Sequence, residues 1–394
     1  MDSMRVLLCG GGTGGHLVPG LVLARRLLTQ GHAVDLVRPG RQVEEHFLDG
    51  GWLGSSGLHG LGIHRLPMHR GKLRLPFSFA RAVRRSRRLL SELDSEMVVG
   101  LGGLASLPPL VAAWSKGIPF ALLEQNLVVG KVNRLALRFA HRMYTAFPLP
   151  DTRMGKEDTQ KDRALLLDKV RDYGMPLRPG IPAARDEQLK HRFAIAPSKK
   201  VILILGGSQG ARDLNLALPA FLAELPEAER ESLAVLHVAG PGKETECAEA
   251  WQRTGLEAHV FEFIEDLAPY YAIADLVVCR GGGTTLYEVA SAGRPALVVP
   301  YPWHADRQQA LNASYFVKAG VFAMVEQEML CSAGSARQEA RDWIASLLSE
   351  KEICRSLGQR ASSLLSRGAA DRIGMDLLKI RGGRPSSIRE VEVA

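Results

Sequence analysis

Three glycine-rich loops in the sequence have the composition and setting of phosphate-binding loops: residues 10–15, 206–210 and 280–285. Each follows a short apolar run and precedes a helical pattern. In that setting the backbone N–H groups at a helix start can bind an anion, and the helix dipole adds to the attraction. No loop ends in Gly-Lys-Ser/Thr, and Val37-Arg38-Pro39 lacks the acidic residue that a dinucleotide-binding unit uses for its ribose. Taken alone, each loop could also be a tight strand–helix turn.

His16 follows the first loop directly. A histidine at a helix start can act as a general base near neutral pH, because the positive end of the helix favours its uncharged form. A histidine that only caps the helix or packs locally would look the same in the sequence. His16 is therefore a candidate catalytic base with a structural alternative.

The third loop combines a cation, backbone donors and a carboxylate. Arg280 precedes three glycines, Thr284 begins the next helical pattern, and Glu288 lies one turn into it. Arg280 and the N–H groups of the helix start could stabilise the charge that develops on a departing diphosphate. Glu288 could accept hydrogen bonds from both hydroxyls of a ribose, although the helix dipole alone also favours an acid there. In the second loop, Ser208 and Gln209 add side-chain donors.

Two polar clusters follow apolar runs elsewhere. Gln308 and Gln309 stand at a junction between a strand and a helix, and Asn312 follows them in the helical pattern. Adjacent amides suit neighbouring sugar hydroxyls, which need both donors and acceptors, but two solvated surface glutamines would look identical. Glu124-Gln125-Asn126 is a comparable cluster after residues 120–123.

The elements that must position these residues occur in the same order twice. Strand-like runs of the first half are residues 5–9, 33–37, 97–99 and 120–123, and those of the second half are 201–205, 235–238, 259–263, 276–279 and 296–299. Strands that alternate with helices predict parallel pairing through right-handed crossovers, hence two Rossmann-like, doubly wound sheets. Ligands bind at the carboxyl ends of such sheets, so we expect a cleft between two domains.

The boundary between the domains is predicted near residue 178, because residues 151–172 are highly charged and residues 174–180 are rich in turn formers. The N-terminal domain is expected to cover residues 1–178 and the C-terminal domain residues 179–364. A helix at about residues 365–380 could pack back on the first domain, and residues 381–394 form a tail.

Composition excludes several classes of protein. With 46% hydrophobic and 23% charged residues, the chain of 394 residues is a folded protein of two domains. No run approaches the ~20 apolar residues of a membrane span. The five scattered cysteines predict a reduced, cytoplasmic protein without disulfides or structural zinc. The sequence has no Asp-x-Asp metal motif, and we expect no cofactor.

The net charge of +8 comes from one patch. Residues 70–88 contain eight basic residues and no acidic residue. A helix is predicted from Phe77 onward, with Arg81, Arg84, Arg85 and Arg88 on one outer face. Leu75, Phe77 and Phe79 lie among these cations, and apolar side chains rimmed by positive charge suit an anionic bilayer surface. An ordinary solvated helix is the alternative, and no nucleic-acid-binding motif accompanies the charge.

Together, the motifs resemble glycosyltransferase family 28, the MurG family of enzymes that convert lipid I to lipid II in peptidoglycan synthesis. The matching elements span about residues 5–325 in the family's order. They are Gly-Gly-Thr-Gly-Gly-His at 11–16, Gly-Leu-Gly-Gly at 100–103, Glu-Gln-Asn at 124–126, Gly-Gly-Ser-Gln-Gly-Ala at 206–211 and Asp-Arg-Gln-Gln at 306–309 with Asn312. One such loop is weak evidence, whereas five ordered motifs are strong.

The resemblance implies a GT-B fold and a metal-independent, inverting hexosyltransferase. UDP-N-acetylglucosamine would be the donor and undecaprenyl-pyrophosphoryl-N-acetylmuramyl-pentapeptide (lipid I) the acceptor, whose 4-hydroxyl attacks the sugar. It also implies a peripheral enzyme on the cytoplasmic side of the inner membrane, a role in cell-wall biogenesis, cell shape and division, and partners among other cell-wall synthesis proteins. No nucleic-acid partner is implied.

The resemblance also assigns roles to individual residues. His16 would be the base or an acceptor-phosphate contact, and the first loop would face the acceptor's pyrophosphate. Gly102, Gly103, Leu75, Phe77, Phe79, Arg81, Arg84, Arg85 and Arg88 would serve the acceptor or the membrane. Residues expected to bind the donor are Thr13, Gly14, Gly15, Asn126, Arg178, Ser208, Phe263, Ile264, Arg280, Gly283, Thr284, Glu288, Gln308 and Gln309.

Some positions depart from the family pattern. Met175 replaces an asparagine of the linker, Leu104 replaces a common tyrosine, and residues 281–283 are all glycine. These changes put fine specificity in doubt rather than the class of reaction. Two alternatives remain open: a related transferase with another lipid acceptor, and a UDP-N-acetylglucosamine 2-epimerase, which would need neither an acceptor nor the basic patch.

Overall fold

The computed structural model describes residues 3–48, 58–66, 75–149, 167–182, 184–207, 209–303, 306–332 and 334–382. Several sequence predictions lie outside these ranges. They concern Ser208, the basic residues Arg70, Lys72 and Arg74, most of the charged segment 151–172, and the tail after residue 382. The side chain of Leu75 is likewise not described.

The first half of the described chain forms a sheet of seven parallel strands in the order β3-β2-β1-β4-β5-β6-β7. The strands are β1 (Arg5–Cys9), β2 (Ala33–Arg38), β3 (Gly62–Arg65), β4 (Met97–Gly100), β5 (Phe120–Glu124), β6 (Arg142–Thr145) and β7 (Val170–Asp172). Its helices are α1 (Gly14–Thr29), α2 (Gln42–Leu48), α3 (Leu75–Glu92), α4 (Leu107–Ser115) and α5 (Lys131–Leu137). The central strands are buried on both faces, as parallel sheets covered by helices require.

The second half forms a parallel sheet of six described strands in the order β10-β9-β8-β11-β12-β13. The strands are β8 (Lys200–Leu205), β9 (Leu233–Val238), β10 (Glu257–Phe261), β11 (Leu276–Cys279), β12 (Ala296–Val298) and β13 (Phe322–Met324). A 3₁₀ helix, Glu187–Phe193, precedes β8.

The helices of the second half follow or connect these strands. They are α6 (Arg212–Ala223), α7 (Glu227–Glu231), α8 (Glu244–Gln252), α9 (Ala268–Ile273), α10 (Gly283–Ser291), α11 (Gln308–Lys318), α12 (Gln327–Cys331), α13 (Ser335–Ser349), α14 (Lys351–Ser363) and α15 (Ala369–Gly382).

Both sheets are doubly wound, which confirms the predicted fold class. The strand order reverses between β1 and β4 in the first sheet and between β8 and β11 in the second. All three predicted glycine loops follow one of these four strands, as does the loop at residues 101–103. Ligand sites of open α/β sheets lie at such switch points.

The last helix, α15, packs on the first half of the molecule. Ile373 and Leu377 are fully buried in the same apolar cluster as Leu27 of α1. The hydroxyl of Tyr144 on β6 donates a 3.0 Å hydrogen bond to Asp376. The chain therefore crosses between the halves twice, once after β7 and once before α15.

An aromatic cluster joins the two halves. Phe147, just after β6, is fully buried and packs edge-on against Tyr287, Tyr315 and Phe316 at ring-centroid distances of 5.4–6.0 Å. Edge-to-face pairs of this kind stabilise a contact beyond the area that they bury. The cluster fixes one side of the cleft between the sheets.

The structure differs from the predicted strands mainly at sheet edges. β3, β6, β7 and β13 have three or four residues each, and β3 alternates half-buried with exposed side chains. Such strands lack the long apolar run by which the central strands were recognised. β10 begins and ends two residues earlier than predicted, so Phe263 lies in the loop after it.

Candidate active site

Two helix starts face each other across the cleft. The Thr284 hydroxyl at the start of α10 donates a 3.0 Å hydrogen bond to the carbonyl of Gly15 in the first turn of α1. A Cβ atom on Gly283 would collide with the carbonyl of Gln125 from the opposite half, so only glycine fits there. Thr13 caps α1 with extended backbone, and Gly14 begins the helix. The positive ends of two helices therefore converge on one place, which suits a diphosphate.

His16 lies half-buried at this junction, and its imidazole contacts Gln125 in the cleft. Its Nδ1 is 2.9 Å from Oε1 of Gln125, and Nε2 of Gln125 donates a 3.0 Å hydrogen bond to the carbonyl of Leu101. Because Gln125 thus presents its oxygen, Nδ1 of His16 must carry the proton and donate. The free electron pair is then on Nε2, which makes Nε2 the proton acceptor. Gly102 and Gly103 lie beside the same ring.

Glu288, the predicted ribose ligand, is buried and already partnered. Its Oε1 is 3.2 Å from Nε of Arg178, an ion pair without hydrogen-bond geometry, and Oε2 accepts a 3.2 Å hydrogen bond from Tyr271. Burial raises the pKa of Glu288, and the nearby Arg178 opposes that rise. The carboxylate therefore has a charged partner that a ligand could replace.

Arg178 and the loop after β10 form the outer wall of this part of the site. Nη1 of Arg178 donates to the carbonyl of Glu265 at 3.1 Å. Ile264 is buried, and the ring of Phe263 packs edge-on against Phe47 of α2 at 6.0 Å. Residues predicted for ribose, phosphate and base therefore lie together, and a residue of the first half contacts them.

The guanidinium of Arg280 donates all of its described hydrogen bonds to other groups of the protein. Its Nη1 donates to the carbonyls of Val299 and Pro300 at 3.2 and 3.1 Å, and Nη2 donates to Oε1 of Gln327 at 2.6 Å. The guanidinium also lies over the ring of Tyr301, and burial lowers its pKa. Arg280 thus fixes the loop after β12, whereas the predicted diphosphate contact would need these donors to be released.

The two predicted sugar ligands differ in their surroundings. Oε1 of Gln309 accepts hydrogen bonds from the backbone N–H of Gly281 and of Tyr301, at 3.1 and 2.9 Å. Gln309 therefore ties the third glycine loop to the loop before α11. Nε2 of Gln308 reaches across the cleft to the carbonyl of Val128 at 3.4 Å.

Asn312 links the two halves through hydrogen bonds of its buried side chain. It is fully buried, accepts a 2.8 Å hydrogen bond from the N–H of Leu127, and donates to Asn126 and to the carbonyl of Gly281 at 3.1 Å each. Asn126 is oriented in turn by Glu124, whose Oε1 accepts from its backbone and side-chain N–H groups. The two sequence clusters thus form one network.

The predicted membrane residues form a separate surface outside the cleft. On α3, Phe77 is 81% exposed, Phe79 is half-buried, and the four predicted arginines line a cavity of about 610 Å³ against β3. Those arginines are Arg81, Arg84, Arg85 and Arg88. No helix of the described chain is both long and apolar enough to cross a membrane.

An exposed aromatic pair near α3 was not identified from the sequence. The rings of Trp114, at the end of α4, and Phe139, after α5, lie 5.2 Å apart between centroids at a tilted angle of 55°. The two residues are 56% and 52% exposed. Leu135 on α5 is equally exposed, and α4 packs directly on α3. Isolated apolar residues are common on surfaces, but a paired aromatic patch beside a basic helix indicates a contact surface.

Other residues of the site were also missed. Gln125 was noted only as part of a polar cluster, although the Glu124-Gln125-Asn126 motif was the signal for it. Glu44 and Phe47 of α2 gave no signal, because their contacts join segments that are distant in the sequence. The structure brings the predicted residues together around two places in the cleft: His16 with Gly283 and Thr284, and Glu288 with Arg178.

Fold and site together define a nucleotide-sugar glycosyltransferase of the GT-B type, with two doubly wound domains that face a shared cleft. The chain belongs to glycosyltransferase family 28. Residues 6–145 match the family's N-terminal domain and residues 201–334 match its C-terminal domain.

Relatives cover almost the whole chain. A Vibrio cholerae serotype O1 protein is 37% identical over 83% of this chain and 86% of its own length. A protein from Aeromonas hydrophila is 35% identical over 97% of this chain and 98% of its own. Both are named UDP-N-acetylglucosamine–N-acetylmuramyl-(pentapeptide) pyrophosphoryl-undecaprenol N-acetylglucosamine transferase.

Solved structures agree on the fold. The crystal structure of Acinetobacter baumannii MurG, 26% identical, superposes with a TM-score of 0.71 over 95% of this chain and 99% of that one. A Listeria monocytogenes protein assigned as a UDP-N-acetylglucosamine 2-epimerase has a TM-score of 0.65 over the full length of both chains. At 15% identity, the second likeness is one of fold alone.

Proposed function

We propose that the protein transfers N-acetylglucosamine from UDP-N-acetylglucosamine to the 4-hydroxyl of the N-acetylmuramyl group of lipid I. The names of the family 28 relatives over most of the chain support this reaction. One observation carries the proposal: His16, with Nε2 as its basic nitrogen, lies where the starts of α1 and α10 meet. A base beside two anion-binding helix ends suits a reaction in which an attacking hydroxyl loses its proton while a diphosphate departs.

The reaction is a single displacement. Nε2 of His16 removes the proton of the attacking hydroxyl, while Nδ1–H remains bonded to Gln125. The hydroxyl oxygen bonds to the anomeric carbon as the bond to UDP breaks, which inverts the configuration. The start of α10, at Gly283 and Thr284, stabilises the negative charge on the leaving diphosphate. Holding both substrates in the cleft can supply ~7–11 kcal/mol of the barrier reduction.

The donor's nucleoside binds beside Glu288 and Ile264. The ribose hydroxyls donate to the carboxylate of Glu288 and replace its ion pair with Arg178, whose guanidinium turns to the phosphates. Ile264 and Phe263 face the uracil. Gln308, Gln309 and Asn126 contact the sugar, and Thr13, Gly14 and Gly15 line the acceptor side of the same space.

The acceptor's polyprenyl chain requires the enzyme to work at a bilayer. Phe77 is exposed on the same helix as Arg84 and Arg88. Trp114 is exposed on α4, which packs on that helix, and Phe139 is exposed after α5, which packs on α4. Apolar side chains near such cations suit an interfacial contact with anionic lipid. The enzyme therefore docks peripherally on the cytoplasmic face of the inner membrane, where its product feeds cell-wall synthesis, cell shape and division.

A transfer assay tests the proposal. Purified protein is incubated with labelled UDP-N-acetylglucosamine and a lipid I analogue, and the label is followed into the lipid fraction. The proposal predicts label in lipid that requires both substrates. Epimerisation of the donor without acceptor, or donor binding with no transfer, would refute it in favour of an epimerase or another acceptor.

A further inference from the structure

The short helix α2 contacts both sides of the cleft, although no sequence motif marked it. Its Glu44 is fully buried and bonded to the first glycine loop, and its Phe47 is buried against the donor side. One turn separates the two residues, so that they are neighbours on one face of the helix.

The carboxylate of Glu44 binds the backbone of the first glycine loop. Its Oε1 accepts a hydrogen bond from the N–H of Gly12 at 2.5 Å, and Oε2 accepts from the N–H groups of Gly40 and Arg41 at 2.9 and 2.8 Å. Nη1 of Arg38 lies 3.3 Å from Oε2. A buried carboxylate with four donors is held firmly, because each hydrogen bond to a charged group is strong.

The carboxylate sets the shape of the loop. Gly12 has φ +91°, a conformation that glycine adopts readily but does not prefer over others. Glu44 anchors the N–H of Gly12, and Nη1 of Arg41 donates to its carbonyl at 2.8 Å. The N–H of Gly12 is thus tied to α2 and its carbonyl to Arg41, the residue before α2. Gly12 in turn precedes Thr13, the cap of the helix that carries His16.

The other end of α2 reaches the donor side. The Phe47 ring packs edge-on against Phe263 and lies 5.9 Å from the guanidinium carbon of Arg178, which is paired with Glu288. Phe47 thus brings a side chain of the first half against these groups, and an aromatic face stabilises a guanidinium above it.

We propose that α2 is a positioning element for both substrates: Glu44 holds the first glycine loop so that His16 meets the acceptor, and Phe47 places Arg178 and Phe263 for the nucleotide. Neither residue touches the reacting atoms. The role of Glu44, the acceptor half of the proposal, rests on the proposed transfer reaction. The role of Phe47, the nucleotide half, requires only that the protein binds UDP.

Glu44→Gln tests the acceptor half. The amide keeps the size of the side chain but turns an N–H₂ group toward backbone donors, so the loop loses its anchor. We expect kcat/KM for the acceptor to fall ~10–100-fold, with the Kd for UDP unchanged within about twofold. Glu45→Gln is the matched control, because Glu45 pairs with Arg38 and Arg65 but makes no described contact with the loop.

Arg41→Met is the second acceptor-side variant, in case Glu44→Gln unfolds the protein. It removes only the 2.8 Å hydrogen bond to the Gly12 carbonyl from a partly exposed side chain. We expect kcat/KM for the acceptor to fall less than in Glu44→Gln, again with the Kd for UDP unchanged. An acceptor kcat/KM equal to that of wild type in both variants, or an equal loss in the Glu45→Gln control, would overturn the acceptor half.

Phe47→Ala tests the nucleotide half by titration calorimetry with UDP alone. We expect the Kd for UDP to rise ~10-fold, with the KM for the acceptor unchanged, and Phe47→Leu to recover most of the affinity. Unchanged UDP affinity in Phe47→Ala would overturn this half. If wild-type protein itself failed to bind UDP, the proposed function would fail first, so the two failures are distinguishable.

Discussion

At the scale of residues, the hydrogen bond to Gln125 decides which nitrogen of His16 carries the proton. A histidine after a glycine loop could be a base or a cap, and the sequence left both readings open. Gln125 presents Oε1 to Nδ1 of His16 because its amide nitrogen is committed to the carbonyl of Leu101. That arrangement leaves Nε2 basic, which favours the catalytic role.

Loss of the imidazole should therefore remove the base. We expect His16→Ala to lower kcat ~10²–10⁴-fold with the Kd for UDP unchanged. Gln125→Leu, which frees the ring to turn and change tautomer, should lower kcat to a lesser degree. Steady-state kinetics with saturating donor measure both, and near-normal turnover of His16→Ala would return His16 to a capping role.

A fully buried histidine outside the cleft makes stability depend on pH. His237 on β9 is fully buried, with Nε2 bonded to Asn215 and Nδ1 accepting from the indole N–H of Trp251 at 3.0 Å each. Burial lowers the pKa of His237 to about 3. The unfolded chain, with a pKa near ~6.5, takes up a proton below that pH while the folded chain does not, so stability falls as pH falls.

His237→Gln should remove this dependence. Between about pH 6.5 and pH 3, the free energy of unfolding of the wild type should lose up to ~1.4 kcal/mol per pH unit from this one group. Urea unfolding of wild type and variant at several pH values measures the difference in slope. His59→Gln, at an exposed position, is the control, and equal slopes for wild type and His237→Gln would contradict the assignment.

At the scale of elements, α3 was predicted from its pattern but its neighbours were not. The regular spacing of its arginines placed them on one face, as the structure shows. Trp114 and Phe139 come near α3 only because α4 packs on α3 and α5 packs on α4. Contacts between elements that are far apart in the chain cannot be derived from the periodicity of either one.

Charge reversal on α3 tests the membrane surface. We expect Arg84→Glu, Arg85→Glu and Arg88→Glu combined to weaken binding to phosphatidylglycerol vesicles at least ~100-fold at ~0.1 M salt, since each basic residue contributes ~1 kcal/mol. Vesicle sedimentation measures the affinity. The combined control Arg192→Glu, Arg253→Glu and Arg355→Glu makes the same charge change on the second half. Equal loss in both variants would show that net charge alone matters.

At the scale of the whole molecule, the fold could be predicted because its signals are local. Each central strand is an apolar run followed by a glycine turn and a helix, and that order fixes a doubly wound sheet. The direction of the Arg280 side chain could not be predicted, since it depends on carbonyls and on Gln327 from later parts of the chain. The hydrogen bond from Asn312 to Asn126 and that from Gly12 to Glu44 could not be predicted either, because each joins residues that are distant in the sequence.

The stereochemistry of the product tests the central claim most directly. After complete reaction of UDP-N-acetylglucosamine with a lipid I analogue, proton NMR measures the configuration at the new glycosidic bond, and released UDP is counted against product. A single displacement aided by His16 predicts a β-linked disaccharide from the α-linked donor and one UDP for each product. An α linkage, or UDP release without a new sugar on the lipid, would contradict it.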